Sequence, residues 1–116
     1  MVDKELSFSE LAKQCLEDSE EWFGDLDVVY SIPYYTLCLA GEVGEFANIV
    51  KKIERGKLKF DAKTKYEMAM ELTDVFTYML NIAALLQIDL TKSYQIKRAI
   101  NEERFTEEKE ARNESS

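Results

Sequence analysis

Residues 62–87, AKTKYEMAMELTDVFTYMLNIAALLQ, contain neither glycine nor proline and are rich in methionine, leucine and alanine. These residue types favour a helix, and the length of the stretch favours a long one. Apolar side chains would cover most of its circumference, leaving one polar stripe that we expect to be partly covered. The stripe consists of Glu67, Glu71, Asp74, Tyr78 and Asn81. This stretch therefore predicts an all-α fold.

A first helix is predicted over residues 8–23, where apolar residues recur at helical spacing. Ser7 and Glu10 have the spacing of a capping box, in which each side chain satisfies the other residue's backbone N–H. Gly24 is expected to end this helix, because glycine tolerates the conformations that follow a helix end.

A second helix is predicted to begin at Pro33, with Ser31 or Ile32 before it, and to run to about Glu54. Proline is favoured in the first turn of a helix, so Pro33 indicates where it starts. The preceding residues 24–32, GDLDVVYSI, are then expected to be a connection.

Asp61 and Asp89 are candidate N-caps for the helix over residues 62–87 and for a fourth helix after it. Beyond Thr106 no apolar residue larger than alanine occurs. We therefore expect one all-α domain over residues 1–105, with residues 106–116 as a polar tail or a frayed helix end.

The net charge of −8 argues against a nucleic-acid backbone or an anionic membrane surface as partner. No apolar run approaches the length of a membrane span, and residues 1–10 lack the apolar core of a secretion signal. A cytoplasmic protein is expected.

The chain contains no histidine, which excludes Ser–His and Cys–His nucleophile systems and histidine-ligated metal sites. A carboxylate di-iron bundle is disfavoured for the same reason, since such bundles normally use Glu-x-x-His motifs.

Two acidic pairs interrupt the two most apolar helices, Glu42 with Glu45 and Glu71 with Asp74. Residues three apart lie on one helix face, and a short loop predicts that the two helices pack antiparallel. The pairs can then face each other as a four-carboxylate cluster. Oxygen ligands select hard cations, Mg²⁺ first and Mn²⁺ second, and Mg²⁺ commonly takes a substrate phosphate as a further ligand. The alternative is that both pairs are solvated helix faces, since the chain has 23 acidic residues.

Three segments together resemble the MazG-like, all-α nucleoside triphosphate pyrophosphohydrolases, and in particular their short, dCTP pyrophosphatase-like members. They are LAGEVGEFANIVKK (39–52), ELTDVFTYMLNIAALLQIDL (71–90) and KRAINEERF (97–105). The resemblance implies a four-helix bundle that cleaves a nucleoside triphosphate to the monophosphate and pyrophosphate, with Mg²⁺ and an activated water. It also implies a role in clearing unwanted nucleotides from the cellular pool.

The resemblance further implies site residues. Tyr78, Asn101 and Lys97 match positions that contact the nucleotide or its phosphates. Lys52 lies seven residues beyond Glu45 on the same helix face and is a further phosphate-binding candidate; the alternative is a solvated helix end. The implied metal ligands, which are also the catalytic residues, are Glu42, Glu45, Glu71 and Asp74.

A two-helix hairpin with an open acidic face needs a surface to pack on, so a homodimer or dimer of dimers is expected. Gly41 and Gly44 weaken their helix and are expected to allow close approach of another helix or of the nucleotide. Two alternatives to an enzyme stay open. One is a catalytically idle interaction or regulatory module, and the other is a bundle that binds divalent cations without turnover.

Overall fold

The computed structural model of the chain describes residues 5–24 and 28–114. Those residues form four helices and no strand, which confirms the all-α class. The helices are α1 (Phe8–Phe23), α2 (Val28–Glu54), α3 (Ala62–Leu85) and α4 (Leu90–Glu114). No single described helix has both the length and the apolar character to cross a membrane. By length and composition alone, α3 and α4 satisfy that test only together, as a pair bent by 102°.

The predicted capping box of α1 is confirmed. The Glu10 backbone N–H donates to Ser7 Oγ at 3.2 Å, and the Ser7 backbone N–H donates to Glu10 Oε1 at 3.2 Å. Gly24 ends the helix with a φ of 86°, and its N–H donates to the Glu20 carbonyl. The bounds of α1 are those that the apolar periodicity predicts.

The predicted start of α2 is wrong. The helix begins at Val28, so Pro33 lies inside it and not at its first turn. A proline near a helix start removes only one intrahelical hydrogen bond, which a helix of 27 residues tolerates. The first turns of α2 therefore include residues that the sequence assigns to the connection.

Asp61 and Asp89 cap α3 and α4 as predicted. The Asp61 Oδ1 atom accepts from the Thr64 N–H at 2.9 Å, and the Asp89 Oδ1 atom accepts from the Lys92 N–H at 3.1 Å. The α3 helix ends before the predicted Gln87, because Gln87 adopts a left-handed φ of 56°. The α4 helix continues to Glu114, so the polar segment after Thr106 is helical as far as that residue.

The α2 and α3 helices pack against each other as an antiparallel hairpin, and α1 packs against α3 and more lightly against α4. The resulting core is small. Its buried members in the described part of the chain are Tyr35, Leu80, Ala83, Ser19, Thr64 and Asn81. The radius of gyration is 18.6 Å, whereas a compact chain of this length would have about 13 Å. The helices therefore leave much of their apolar surface uncovered.

Candidate metal and nucleotide site

Three of the four predicted carboxylates converge at the middle of the α2–α3 hairpin. Glu42 and Glu45 lie three residues apart on α2, and Glu71 faces them from α3. One carboxylate oxygen of each lies within 4.8 Å of the others. We call these three residues the carboxylate cluster.

Asp74 is adjacent to the carboxylate cluster but outside that distance limit. It is close enough that its negative charge helps to raise the pKa of both Glu42 and Glu71. The hairpin therefore brings the two acidic pairs together as a cluster of three with a neighbouring fourth.

The carboxylates disfavour each other's ionisation. Burial raises the pKa of Glu42 to about 7, and a hydrogen bond with Glu71 and the charges of Glu45 and Asp74 add to the shift. The pKa of Glu71 is also raised, mainly by a hydrogen bond with Glu45. Within the described chain, the Oε2 atoms of Glu42 and Glu71 are buried without a hydrogen-bond partner.

Such a group of anionic oxygens fits a hard divalent cation. Buried polar atoms normally have a partner, and a cation would supply one to the Oε2 atoms of Glu42 and Glu71. It would also offset the repulsion that raises their pKa values. Oxygen-only donors match the preferences of Mg²⁺ and Mn²⁺.

A cavity of about 750 Å³ lies beside the carboxylate cluster, between α1, α2 and α3. Glu42 and Asp74 line it together with four aromatic residues, so we call it the aromatic cavity. The ring centroids of Tyr35 and Tyr78 are 5.9 Å apart. The four aromatic residues are Trp22, Tyr34, Tyr35 and Tyr78. The aromatic cavity offers an acidic side and flat apolar surfaces for one ligand.

Tyr78 is the predicted substrate-binding residue that lines this cavity. Burial raises its pKa to about 12, and the neighbouring Cys38 adds to the shift. The phenol is therefore uncharged at neutral pH and can donate a hydrogen bond.

The structure does not bring the other predicted substrate-binding residues to the carboxylates of the same chain. Lys52 is exposed near the end of α2 and does not line the aromatic cavity. Lys97 and Asn101 line a separate groove of about 500 Å³ along α4. The Asn101 Oδ1 atom is buried there without a hydrogen-bond partner in the described part of the chain.

Gly41 and Gly44 face open space. A Cβ atom added at either position would meet nothing within 4 Å among the described residues, and both glycines are exposed. The expected close approach is therefore not made by the described parts of the same chain.

The sequence pattern did not assign a role to the most buried polar pair in the aromatic cavity. Ser19 Oγ donates to Asn81 Oδ1 at 3.2 Å, and both residues line the cavity. The sequence feature that could have indicated Asn81 is the polar stripe of α3, which continues from Tyr78 to Asn81. Ser19 gave no signal, because its partner is 62 residues away along the chain.

The fold is an all-α hairpin, and its carboxylate cluster lies beside the aromatic cavity. This combination is that of an all-α protein with a candidate site for a divalent cation and an organic anion. The model of the MazG nucleotide pyrophosphohydrolase domain matches residues 31–106, which include both acidic pairs, Glu42 with Glu45 and Glu71 with Asp74. The chain belongs to this MazG family, whose members depend on divalent cations.

The chain is also similar in sequence to a phage protein. The Gene 37 protein of Mycobacterium phage L5 is 37% identical over 79 residues, which cover 67% of this chain and 68% of the relative. The name of that relative describes no activity. The resemblance inferred from the three sequence segments is thus confirmed at the level of the family.

Proposed function

We propose that this protein is a Mg²⁺-dependent hydrolase that cleaves a nucleoside triphosphate to the monophosphate and pyrophosphate. One observation carries the proposal: Glu42 and Asp74 line the same cavity as four aromatic side chains. A nucleotide has the matching parts, because its phosphates need cations and its base needs a stacking surface. Mn²⁺ is the expected substitute for Mg²⁺.

Glu42, Glu45 and Glu71 would hold the cation, with Asp74 beside them. When bound, Mg²⁺ would offset the charge of the phosphates and of the departing pyrophosphate. A carboxylate of the site accepts a proton from water as the water oxygen bonds to the α-phosphorus and the bond to pyrophosphate breaks. This reaction requires positioning and charge stabilisation and no protein nucleophile, which suits a chain without histidine.

The nucleoside would occupy the aromatic cavity. Trp22 and Tyr34 offer exposed rings on which a base can stack, and the Tyr78 phenol can donate to the sugar or a phosphate. Lys52 stays a candidate phosphate contact at the end of α2.

A homodimer or a dimer of dimers would complete this site. Large apolar side chains are exposed on α2 and α4, among them Leu37, Val43, Ile96 and Ile100. An α4 helix that packs on the hairpin of a partner subunit would cover this surface. It would also carry Lys97 and Asn101 towards the partner's carboxylates, and Gly41 and Gly44 would allow the close approach.

The physiological role we propose is removal of unwanted nucleotides in the cytoplasm. The absence of a nucleic-acid or membrane partner stays a prediction from the net charge.

The test is incubation of the protein with Mg²⁺ and a panel of deoxynucleoside triphosphates, with detection of monophosphate and pyrophosphate. Glu42→Gln should abolish release of both products. Glu54→Gln is the matched control, because Glu54 is exposed at the end of the same helix and away from the carboxylate cluster. Thermal stabilisation by Mg²⁺ without turnover would identify a cation-binding bundle and overturn the proposed reaction.

A further inference from the structure

The aromatic cavity contains a buried polar pair that the proposed reaction does not use. Ser19 and Asn81 are only 5% and 3% exposed, and they come from α1 and α3. Ser19 Oγ donates to Asn81 Oδ1 at 3.2 Å. Burying an amide costs free energy unless its polar atoms have hydrogen-bond partners. An atom of the Asn81 amide that lacks a partner within the protein therefore indicates a contact with a ligand.

The Asn81 side chain has two N–H donors, both on its Nδ2 atom. The bond from Ser19 occupies the carbonyl end of the Asn81 amide and leaves its Nδ2 atom. In the described part of the chain the Asn81 side chain has no second hydrogen bond, and it lines the aromatic cavity. A ligand in the cavity would therefore meet an N–H donor.

Helix α1 supplies a hydrogen-bond acceptor to the same cavity. Asp18 lines the same cavity and directly precedes Ser19. Its Oδ1 atom accepts from Gln14 Nε2 at 2.9 Å, which leaves Oδ2 as an acceptor for a ligand. The aromatic cavity thus combines a fixed N–H donor with a carboxylate acceptor.

We propose that Asn81, held by Ser19, acts with Asp18 to select nucleobases that carry a carbonyl oxygen next to a ring N–H. Uracil, thymine and guanine have this keto edge, whereas cytosine and adenine present an amino group next to a ring nitrogen that lacks hydrogen. Asn81 would donate to the carbonyl oxygen, and Asp18 would accept from the ring N–H. An amino base would direct a donor at a donor and a lone pair at a carboxylate, which costs affinity.

The aromatic rings cannot make this choice. Stacking on Trp22 or Tyr34 is available to every base, because every base has a π-face. Discrimination therefore rests on the edge contacts of Asn81 and Asp18. The inference rests on the proposed function, since it names the substrate class of the same site.

Binding can be measured without chemistry, because Trp22 is the single tryptophan of the chain and lines the cavity. Its fluorescence is followed in the Mg²⁺-loaded chain of residues 1–116 during titration with five deoxynucleoside monophosphates. The keto nucleotides dUMP, dTMP and dGMP should bind at least about tenfold more tightly than dCMP and dAMP, and kcat/KM for the triphosphates should follow the same order. Equal binding, no binding, or the reverse order would overturn the inference.

Variants assign the selectivity to the amide. Asn81→Asp replaces the N–H donors with an acceptor and should shift the preference towards dCMP and dAMP. Ser19→Ala is a milder change that leaves the donors but frees the amide, and it should reduce the discrimination several-fold. In the control Thr77→Val the ranking of bases should persist, because the Thr77 hydroxyl lines the cavity but donates to the Thr73 carbonyl at 2.9 Å. Circular dichroism establishes that each variant is folded, and an unchanged ranking in folded Ser19→Ala and Asn81→Asp would overturn the assignment.

The two proposals fail separately. Selective binding of keto monophosphates without hydrolysis of any triphosphate would support the base selection and overturn the proposed reaction. Hydrolysis of all triphosphates at similar kcat/KM would support the reaction and overturn the base selection.

Discussion

Glu42 and Glu71 face each other across the α2–α3 hairpin, and each leaves its Oε2 atom buried without a hydrogen-bond partner in the described part of the chain. Two carboxylates in this relationship repel each other when both are ionised. The pKa of Glu42 is raised, chiefly by burial and then by a hydrogen bond with Glu71, whereas the pKa of Glu71 is raised chiefly by a hydrogen bond with Glu45. The arrangement lowers the stability of the protein until a proton or a cation enters. Catalytic sites commonly accept such a cost.

Mg²⁺ should therefore stabilise the folded protein, and the effect should depend on Glu71. At a free Mg²⁺ concentration one hundred times its Kd, the gain in the free energy of unfolding is about 2.7 kcal/mol. Glu71→Gln should raise the Tm of the metal-free protein, because it removes a repelling charge, and should abolish most of the response to Mg²⁺. Differential scanning calorimetry measures both. Glu67→Gln is the control, since Glu67 is exposed one turn earlier on α3. If Glu67→Gln lost as much of the Mg²⁺-induced rise in Tm, binding of Mg²⁺ at the carboxylate cluster would be contradicted.

The metal-free protein should lose stability as the pH rises from about 5 to about 8. The pKa of Glu42 is raised from 4.5 to about 7 in the folded state, so the folded protein binds more protons than the unfolded chain between these values. The stabilisation is fully present below pH 4.5 and is lost as the pH rises through 7. Tm measured by circular dichroism should fall over this range, and Glu42→Gln should flatten the curve. Saturating Mg²⁺ should remove the fall, and a Tm that instead rises with pH without metal would contradict the assigned burial of Glu42.

The elements that sequence predicts best are those fixed by local chemistry. The Ser7–Glu10 capping box and the Asp61 cap depend on residues three apart, so their spacing was sufficient. The convergence of the acidic pairs required one further inference, that a short loop makes an antiparallel hairpin. The start of α2 was missed because the preference of proline for a first turn is statistical, and this helix tolerates Pro33 inside it.

Other features depend on the arrangement of distant segments. Ser19 and Asn81 meet across 62 residues, and no local pattern marks a buried serine on an acidic helix. Likewise, helical periodicity places Lys97 and Asn101 on one side of α4 but cannot indicate which hairpin that side contacts.

Tyr78→Phe should weaken substrate binding more than it slows turnover. The phenol is uncharged at neutral pH, because its pKa is about 12, so the change removes one neutral hydrogen-bond donor from the aromatic cavity. Loss of such a bond corresponds to about a fivefold rise in KM. The ring contact with Tyr35 persists in the variant, so Tm should change little. Steady-state kinetics measures KM and kcat. The control is Tyr66→Phe, because Tyr66 is 64% exposed and lies outside the cavity. Matching KM values for the two variants would rule out a substrate contact by the Tyr78 phenol.

Mixing two inactive variants tests whether α4 serves the site of a partner subunit. Asn101→Ala removes a proposed substrate contact on α4, and Glu42→Gln removes a cation ligand on α2. If each site combines the carboxylates of one subunit with α4 of the other, a mixed dimer contains one intact site. Random exchange in an equal mixture makes half of the dimers mixed, so activity should recover to about a quarter of the wild-type value.

Sedimentation equilibrium must show that both variants still associate, and unmixed samples of each provide the baseline. Recovery after partial unfolding and refolding of the mixture would show that Asn101 acts across the interface. If both variants associate and exchange but the mixture stays at the baseline, Asn101 does not serve a partner's site. A fully active wild-type monomer would overturn the shared site as well, because a single chain holds Asn101 in a groove separate from its own carboxylates.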